Sequence, residues 1–311
     1  MKNILLILVC VIGLTSCYDD SYLDPKLDET IAYFASDVDY TRTLVVGEGL
    51  NFKIGAAMAG VIENREDREL EYMIYQENVN FDGADDMRVL MPKTYYNSED
   101  LSGSIMTVIP KGKFLGYFSV SMDSTSFLAD PMALTGEYTL PVKLVSSSLD
   151  SIRADSVNVS VRYMAGIEGM YLYKSVIEKE LNGSIVSDAT VTEMYSSEED
   201  KNAWSFVTSA PFSVTATSAT SAFTSGLAFD LTVNGDAISI ESIDGQPVVE
   251  LEGTNTYDPK TRDFELNFKY QMLPVNGVVN DTIYHVSNEL IFRNRLRDGV
   301  NETREYLHYL N

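Results

Sequence analysis

The sequence is poor in the residues from which most reactive sites are built. Of 311 residues, two are cysteine, two are histidine and one is tryptophan. Both cysteines, Cys10 and Cys17, stand at the very start of the chain. Downstream of Cys17 there is no thiol, which excludes disulfides, thiolate metal sites and cysteine nucleophiles from the body of the protein. His285 and His308 are too few for a histidine-rich zinc site. No Gly-x-Ser-x-Gly elbow is present to seat a serine nucleophile. His285 lies in an alternating stretch and reads as a structural histidine. Positive charge is also scarce: 23 Lys and Arg face 46 Asp and Glu, a formal charge of −23. This argues against nucleic acid and against direct contact with anionic lipid headgroups. So acidic a chain produces carboxylate pairs by chance, and Glu178 with Glu180, or Glu198 with Glu199, carry no more meaning than that. No catalytic residue, metal or cofactor is assigned, and the chain is expected not to be an enzyme.

What is present begins with an apolar leader. Lys2 gives a positive start, and Ile4 to Leu14 is an apolar run broken only by Gly13. It is long enough for a secretion signal and too short for a permanent membrane helix. Leu14-Thr15-Ser16-Cys17 then resembles a bacterial lipobox. Residues 1–16 read as a lipoprotein signal peptide, with Cys17 as the lipidated first residue of the mature chain. Its acyl chains are the expected link to the membrane. Residues 17–30 form an acidic tether, and Tyr18-Asp19-Asp20 resembles the surface-export signal of Bacteroidetes lipoproteins. An outer-membrane location with outward display is therefore expected.

Beyond the tether the dominant period is two, and long amphipathic helices are missing. Leu50, Phe52 and Ile54 alternate with Asn51 and Lys53, and Leu70, Tyr72 and Ile74 repeat the pattern. Stretches 104–109, 114–122, 138–145 and 157–163 follow it too, so that alternate side chains face a core. About seven short strands over residues 31–165 predict an immunoglobulin-like β-sandwich. A second run of strands opens at Gly169. Asn234-Gly235 and Asp244-Gly245 mark hairpin turns, and Tyr257 to Arg262 a longer connection. Consecutive hairpins close most simply as an up-and-down barrel. Residues 166–311 are thus predicted to form a calycin-like β-barrel, with a second sandwich as the competing fold. The fold class is all-β. The stretch 211–225, rich in Ser, Thr and Ala, is read as an edge strand or a loop.

Several stretches then resemble a known pattern: Gly47-Glu48-Gly49-Leu50, Gly60-Val61-Ile62-Glu63-Asn64, Leu90 to Tyr96, Ile109-Pro110-Lys111-Gly112 and Tyr138-Thr139-Leu140-Pro141-Val142. They are similar to the N-terminal domain of uncharacterised Bacteroidetes surface lipoproteins, which in some relatives precedes a chitinase-like endoglycosidase or a lectin-like module. Phe292 to Val300 resembles the close of a calycin-like domain often paired with it. The resemblance implies glycan binding or adhesion in polysaccharide utilisation. The DxxDxDxE motif of the chitinase-like enzymes is lacking, so the implied role carries no hydrolysis.

Sugar rings present apolar faces that stack on flat side chains, while their hydroxyls need amides and carboxylates. Trp204, beside Asn202, is the first stacking candidate. Tyr95 and Tyr96, next to Asn97, are a second pair. Tyr171 and Tyr173 share one strand face and are candidates for lining a barrel mouth, although each of these aromatics also suits a core. Asp82-Gly83-Ala84-Asp85-Asp86 departs from the spacing of a calcium loop and reads as a solvated turn. Arg293, Arg295 and Arg297 fall on one face, either to clamp an anionic sugar or to pair with acids such as Glu302 and Glu305. The expected partner is a polysaccharide or oligosaccharide. The alternatives are a small apolar or lipid ligand held in the barrel, or a protein partner such as an outer-membrane transporter or a neighbouring surface lipoprotein.

Overall fold

The computed structural model describes residues 29–35, 40–75, 87–97, 103–194, 203–218, 227–274 and 281–304, with the side chains of 187–194 excepted. The signal peptide, Cys17, nearly all of the tether, the acidic turn at 82–86, Asn202, Glu305 and His308 lie outside the described residues.

The first half contributes ten strands: β1 (Ile31–Tyr33), β2 (Tyr40–Val45), β3 (Asn51–Ala59), β4 (Arg68–Ile74), β5 (Val89–Leu90), β6 (Ile105–Ile109), β7 (Leu115–Ser121), β8 (Tyr138–Ser147), β9 (Ser151–Arg153) and β10 (Ser156–Met164). They form two sheets, one ordered β7-β3-β1-β9 and the other β2-β10-β8-β4-β6, with β5 beside β8. The period-two pattern sets which side chains meet between them. Along β10, Val157, Val159, Val161 and Tyr163 face inward, and along β7 Phe118 and Val120 do so. The Tyr72 hydroxyl donates to the Gly116 carbonyl at 3.0 Å and accepts from the Ala56 amide at 2.8 Å, tying the two sheets through the core. This is the sandwich that the alternation predicts. Two features were not predicted. The chain ends pair in parallel, β1 with β9 and β2 with β10. Two short helices, α1 (Ser124–Leu128) and α2 (Met132–Thr135), fill the β7–β8 connection. Asp123 caps α1 by accepting the Ser126 amide at 2.6 Å.

The second half contributes β11 (Gly169–Leu181), β12 (Ser184–Met194), β13 (Trp204–Ala210), β14 (Ser213–Ser218), β15 (Ala228–Asn234), β16 (Ala237–Ser242), β17 (Val248–Leu251), β18 (Thr256–Tyr257), β19 (Phe264–Gln271), β20 (Thr282–Arg297) and β21 (Val300–Thr303). One curled sheet runs β16-β15-β14-β13-β11-β20-β19-β17. It is a nearly closed up-and-down barrel, not a second sandwich. β12 and β13 act as one interrupted strand, since both pair antiparallel with β11, first along Lys174–Leu181 and then along Gly169–Tyr171. At the seam between β16 and β17 the Val249 amide donates to Ser242 Oγ at 2.9 Å. β14 is interior to the sheet, paired on both sides, not at an edge. Its inward residues Val214, Ala216 and Ser218 are small, which disguised a regular alternation. The described interior is filled by Phe206, Phe229, Phe264, Phe268, Tyr270, Phe292 and the aromatics of β11. Among the described residues no helix is long and apolar enough to cross a membrane.

Candidate functional site

The stacking residues expected from sequence are mostly core residues. Trp204 is fully buried, with its ring centroid 5.6 Å from Phe229 and 6.3 Å from Phe268 in edge or tilted contacts. Tyr171 is also fully buried, packed 4.4 Å from Phe206, and its hydroxyl donates to the Ile167 carbonyl at 2.8 Å. Tyr173 and Tyr96 are buried as well. These four side chains offer no free face to a sugar. The physical reason for Trp204, Tyr171 and Tyr173 is the inward half of the strand alternation, which fills the barrel axis with large aromatics, whereas Tyr96 packs into the sandwich core beside its bridge partner Met122. Tyr95 is half-buried, and its hydroxyl is taken up by Asp130 Oδ2 at 2.7 Å, which also accepts Tyr138 at 2.5 Å. The Tyr138 bond, then that of Tyr95, holds the Asp130 carboxyl below the usual range.

A cleft lies instead where the two β units meet. The β2–β3 turn, Val46 to Gly49, juts toward the β18–β19 turn, Asp258 to Asp263. Gly47 and Gly49 take φ of 93° and 94°, a left-handed backbone open to glycine, and they present Glu48 between them. On the opposite side Arg262 also has a positive φ, 63°, and its amide closes the turn onto the Asp258 carbonyl at 2.6 Å. Glu48 is the hub. Its Oε1 accepts Arg262 Nη2 and, at 2.9 Å, Arg295 Nη2, while Oε2 accepts Arg297 Nη1 at 3.3 Å. Arg295 Nε donates to Glu302 Oε2 at 2.5 Å, and Arg297 Nη2 pairs with Glu302 Oε1. Arg295 and Arg297 of β20 pair with Glu302, as expected, and with Glu48, whose place more than two hundred residues earlier no local signal betrays.

Two further contacts brace the junction. Asp298, in the β20–β21 turn, accepts the Thr43 amide at 3.0 Å and the Thr43 hydroxyl at 2.7 Å, occupying the free edge of β2. The Ala165 amide donates to Thr208 Oγ1 at 2.9 Å, which pins the connecting segment to β13.

Two adjoining hollows open around Glu48 and Arg262. One, of about 340 Å³, is walled by Phe212, Tyr257, Val233, Ile167 and Pro211, with Asp236 at its edge. Phe212 is 47% exposed, which makes it an accessible flat ring beside charged groups. Tyr257 packs at a tilt with its ring 4.6 Å from Phe264, and burial pushes its hydroxyl up to about 12. The other hollow, of about 460 Å³, carries Lys260, Arg262 and Arg297 against Glu48, with Thr43 and Asn51 as neutral polar groups. A shallower cleft beside Tyr96 and Asn97 is lined by Lys93, Thr94 and Asp123, without an exposed aromatic ring. In the sequence, the Gly47-Glu48-Gly49 turn is the local mark of this junction.

No family model matches the chain, and no curated protein matches it. Among solved structures, a structural-genomics protein of unknown function from Bacteroides ovatus is similar over 85% of this chain and 95% of its own, at 18% identity and a TM-score of 0.63. A second protein of unknown function from that organism is 10% identical over 88% of this chain and 97% of its own, with a TM-score of 0.40. A multidomain protein including DUF1735, from the same organism, is 10% identical over 87% of this chain and 96% of its own, with a TM-score of 0.37. The first of these likenesses shows the fold, and the chain is similar in architecture to an uncharacterised Bacteroides protein.

Proposed function

We propose that this chain is a surface lipoprotein, anchored through acylated Cys17, that binds glycan in the cleft between its two β units. The observation that carries the reading is the exposed ring of Phe212 set beside Asp236, Glu48 and Arg262 in a hollow large enough for one or two sugar units. An apolar face for the ring and charged groups for the hydroxyls are the two components that carbohydrate recognition needs. The lipobox and the acidic tether support outward display, and the β-sandwich and barrel accord with the calycin-like family resemblance. The test is an array of host and plant glycans probed with the soluble body, residues 18–311. Binding to a defined group of glycans is expected, and absence of binding at high protein concentration would overturn the reading.

A second reading, docking to another surface protein, has one observation of its own. Met106 and Val108 are exposed on the same face of the edge strand β6. Cross-linking on intact cells that leaves this patch unmodified by any partner would dismiss it.

A further inference from the structure

We infer that the cationic half of the junction cleft is an anion subsite, which takes the carboxylate or sulfate of an acidic glycan. This deepens the carbohydrate reading of the same cleft and rests on it. In a chain with twice as many acidic as basic residues, chance would line a cavity with carboxylates. Here the charged lining is Lys260, Arg262 and Arg297 against Glu48 alone. The buried network behind it is equally unbalanced. Among the described residues Arg262, Arg295 and Arg297 share two carboxylates, Glu48 and Glu302, three positive charges against two negative.

The hydrogen-bond count points the same way. Arg262 is 93% buried, separates the two hollows and lines both. Its Nη2 is used by Glu48, but its Nη1 has no hydrogen-bond partner among the described residues. Arg295 Nη1 stands in the same condition. Buried donors, charged ones above all, are costly to leave unmade. Burial, and then the neighbouring Arg295, push the Arg262 guanidinium down from its ordinary range, and a nearby anion would offset the repulsion by Arg295. Arg297, 27% exposed on the wall of the hollow, is the guanidinium that an incoming carboxylate or sulfate can reach. Lys260, exposed at the rim, adds a point charge that attracts such a group from solution. The aromatic hollow next door would then hold the sugar ring that bears it.

The test is calorimetric titration of the soluble body with oligogalacturonate, with a chondroitin sulfate oligosaccharide, with neutral oligosaccharides of the same lengths, and with sodium glucuronate and sodium sulfate alone. The Lys260→Glu variant is run in parallel, because an exposed rim lysine is dispensable for folding. At least one acidic oligosaccharide is expected to bind about tenfold tighter than its neutral counterpart, and Lys260→Glu to abolish that advantage while leaving neutral binding unchanged. The uronate and sulfate arms separate the two anion chemistries. Equal binding of acidic and neutral glycans, unaffected by Lys260→Glu, would overturn the anion subsite and leave the carbohydrate reading intact. Binding of the free anions, lost in Lys260→Glu, with no glycan bound at all, would support the subsite and overturn the carbohydrate reading. No acidic probe bound in any arm would overturn the inference.

Discussion

Replacing Glu48 by alanine should loosen the whole junction. The carboxylate receives three guanidinium groups, and two of these belong to buried side chains, Arg295 at 1% and Arg262 at 8% exposure. Removing one partner of a buried ion pair costs about 3–5 kcal/mol, because the charge left behind is stranded. Glu48 itself is 35% exposed, so water recovers part of the loss and the lower end, about 3 kcal/mol, applies. For a body of this size each kcal/mol lowers Tm by about 2 °C, which gives a fall of about 6 °C. Glu48→Gln keeps the shape and one acceptor oxygen, and should fall by roughly half as much. Differential scanning calorimetry of the soluble body reads both variants. Double-mutant cycles with Arg297→Ala then assign part of the loss to that pair. If Glu48→Ala melted within about 1 °C of the parent, the hub would carry no energy and the argument from buried charge would be wrong.

Other consequences are separately measurable. Trp204→Ala removes a fully buried indole and should cost about 3–5 kcal/mol, and the parent's only tryptophan should resist quenching by iodide, whereas ready quenching would contradict its burial. Gly60 and Gly47 both have φ of 93°, but a Cβ on Gly60 would meet the Glu29 carbonyl oxygen at 1.9 Å while one on Gly47 meets open space. Gly47→Ala should therefore cost about 1–2 kcal/mol and Gly60→Ala clearly more, and equal losses would refute the clash. His285 lies between Glu252 and Glu180, each at 2.8 Å. Burial works against its charged ring, but the two carboxylates outweigh it and raise the pKa. Its contribution should be fully present below the unfolded value of about 6.5 and vanish as pH rises through the higher folded value. The Tm difference between the parent and His285→Gln, followed from acid to mildly alkaline pH, should shrink with rising pH, and a difference that grew would reverse the sign.

How much of this the sequence carried depends on range. The strands were legible because the alternation of Phe52 with Lys53, or of Phe264 with Glu265, is local and each residue reports its own face. The turns at Gly235, which closes the β15–β16 hairpin, and at Gly245, which joins β16 to β17 across the seam without a ladder, were legible because positive φ selects glycine. β14 was obscured because its inward residues are small, and the parallel pairings of β1 and β2 because they join ends more than a hundred residues apart. The site was harder. A tryptophan in a strand looks the same in sequence whether it faces a ligand or a core, and Trp204 faces the core. Phe212, which is exposed, drew no notice within a Ser- and Thr-rich stretch. Glu48 and the β20 arginines are joined only by the packing of two separate sheets, and no spacing rule relates them.

The most direct measurement is a titration of the tightest-binding arrayed glycan against the soluble body and its Phe212→Ala variant. If the cleft at the junction is the binding site, the parent binds and the variant weakens by at least about tenfold with an unchanged Tm, since the lost ring is half in solvent. Equal affinity in parent and variant would place the sugar elsewhere on the molecule and contradict the account.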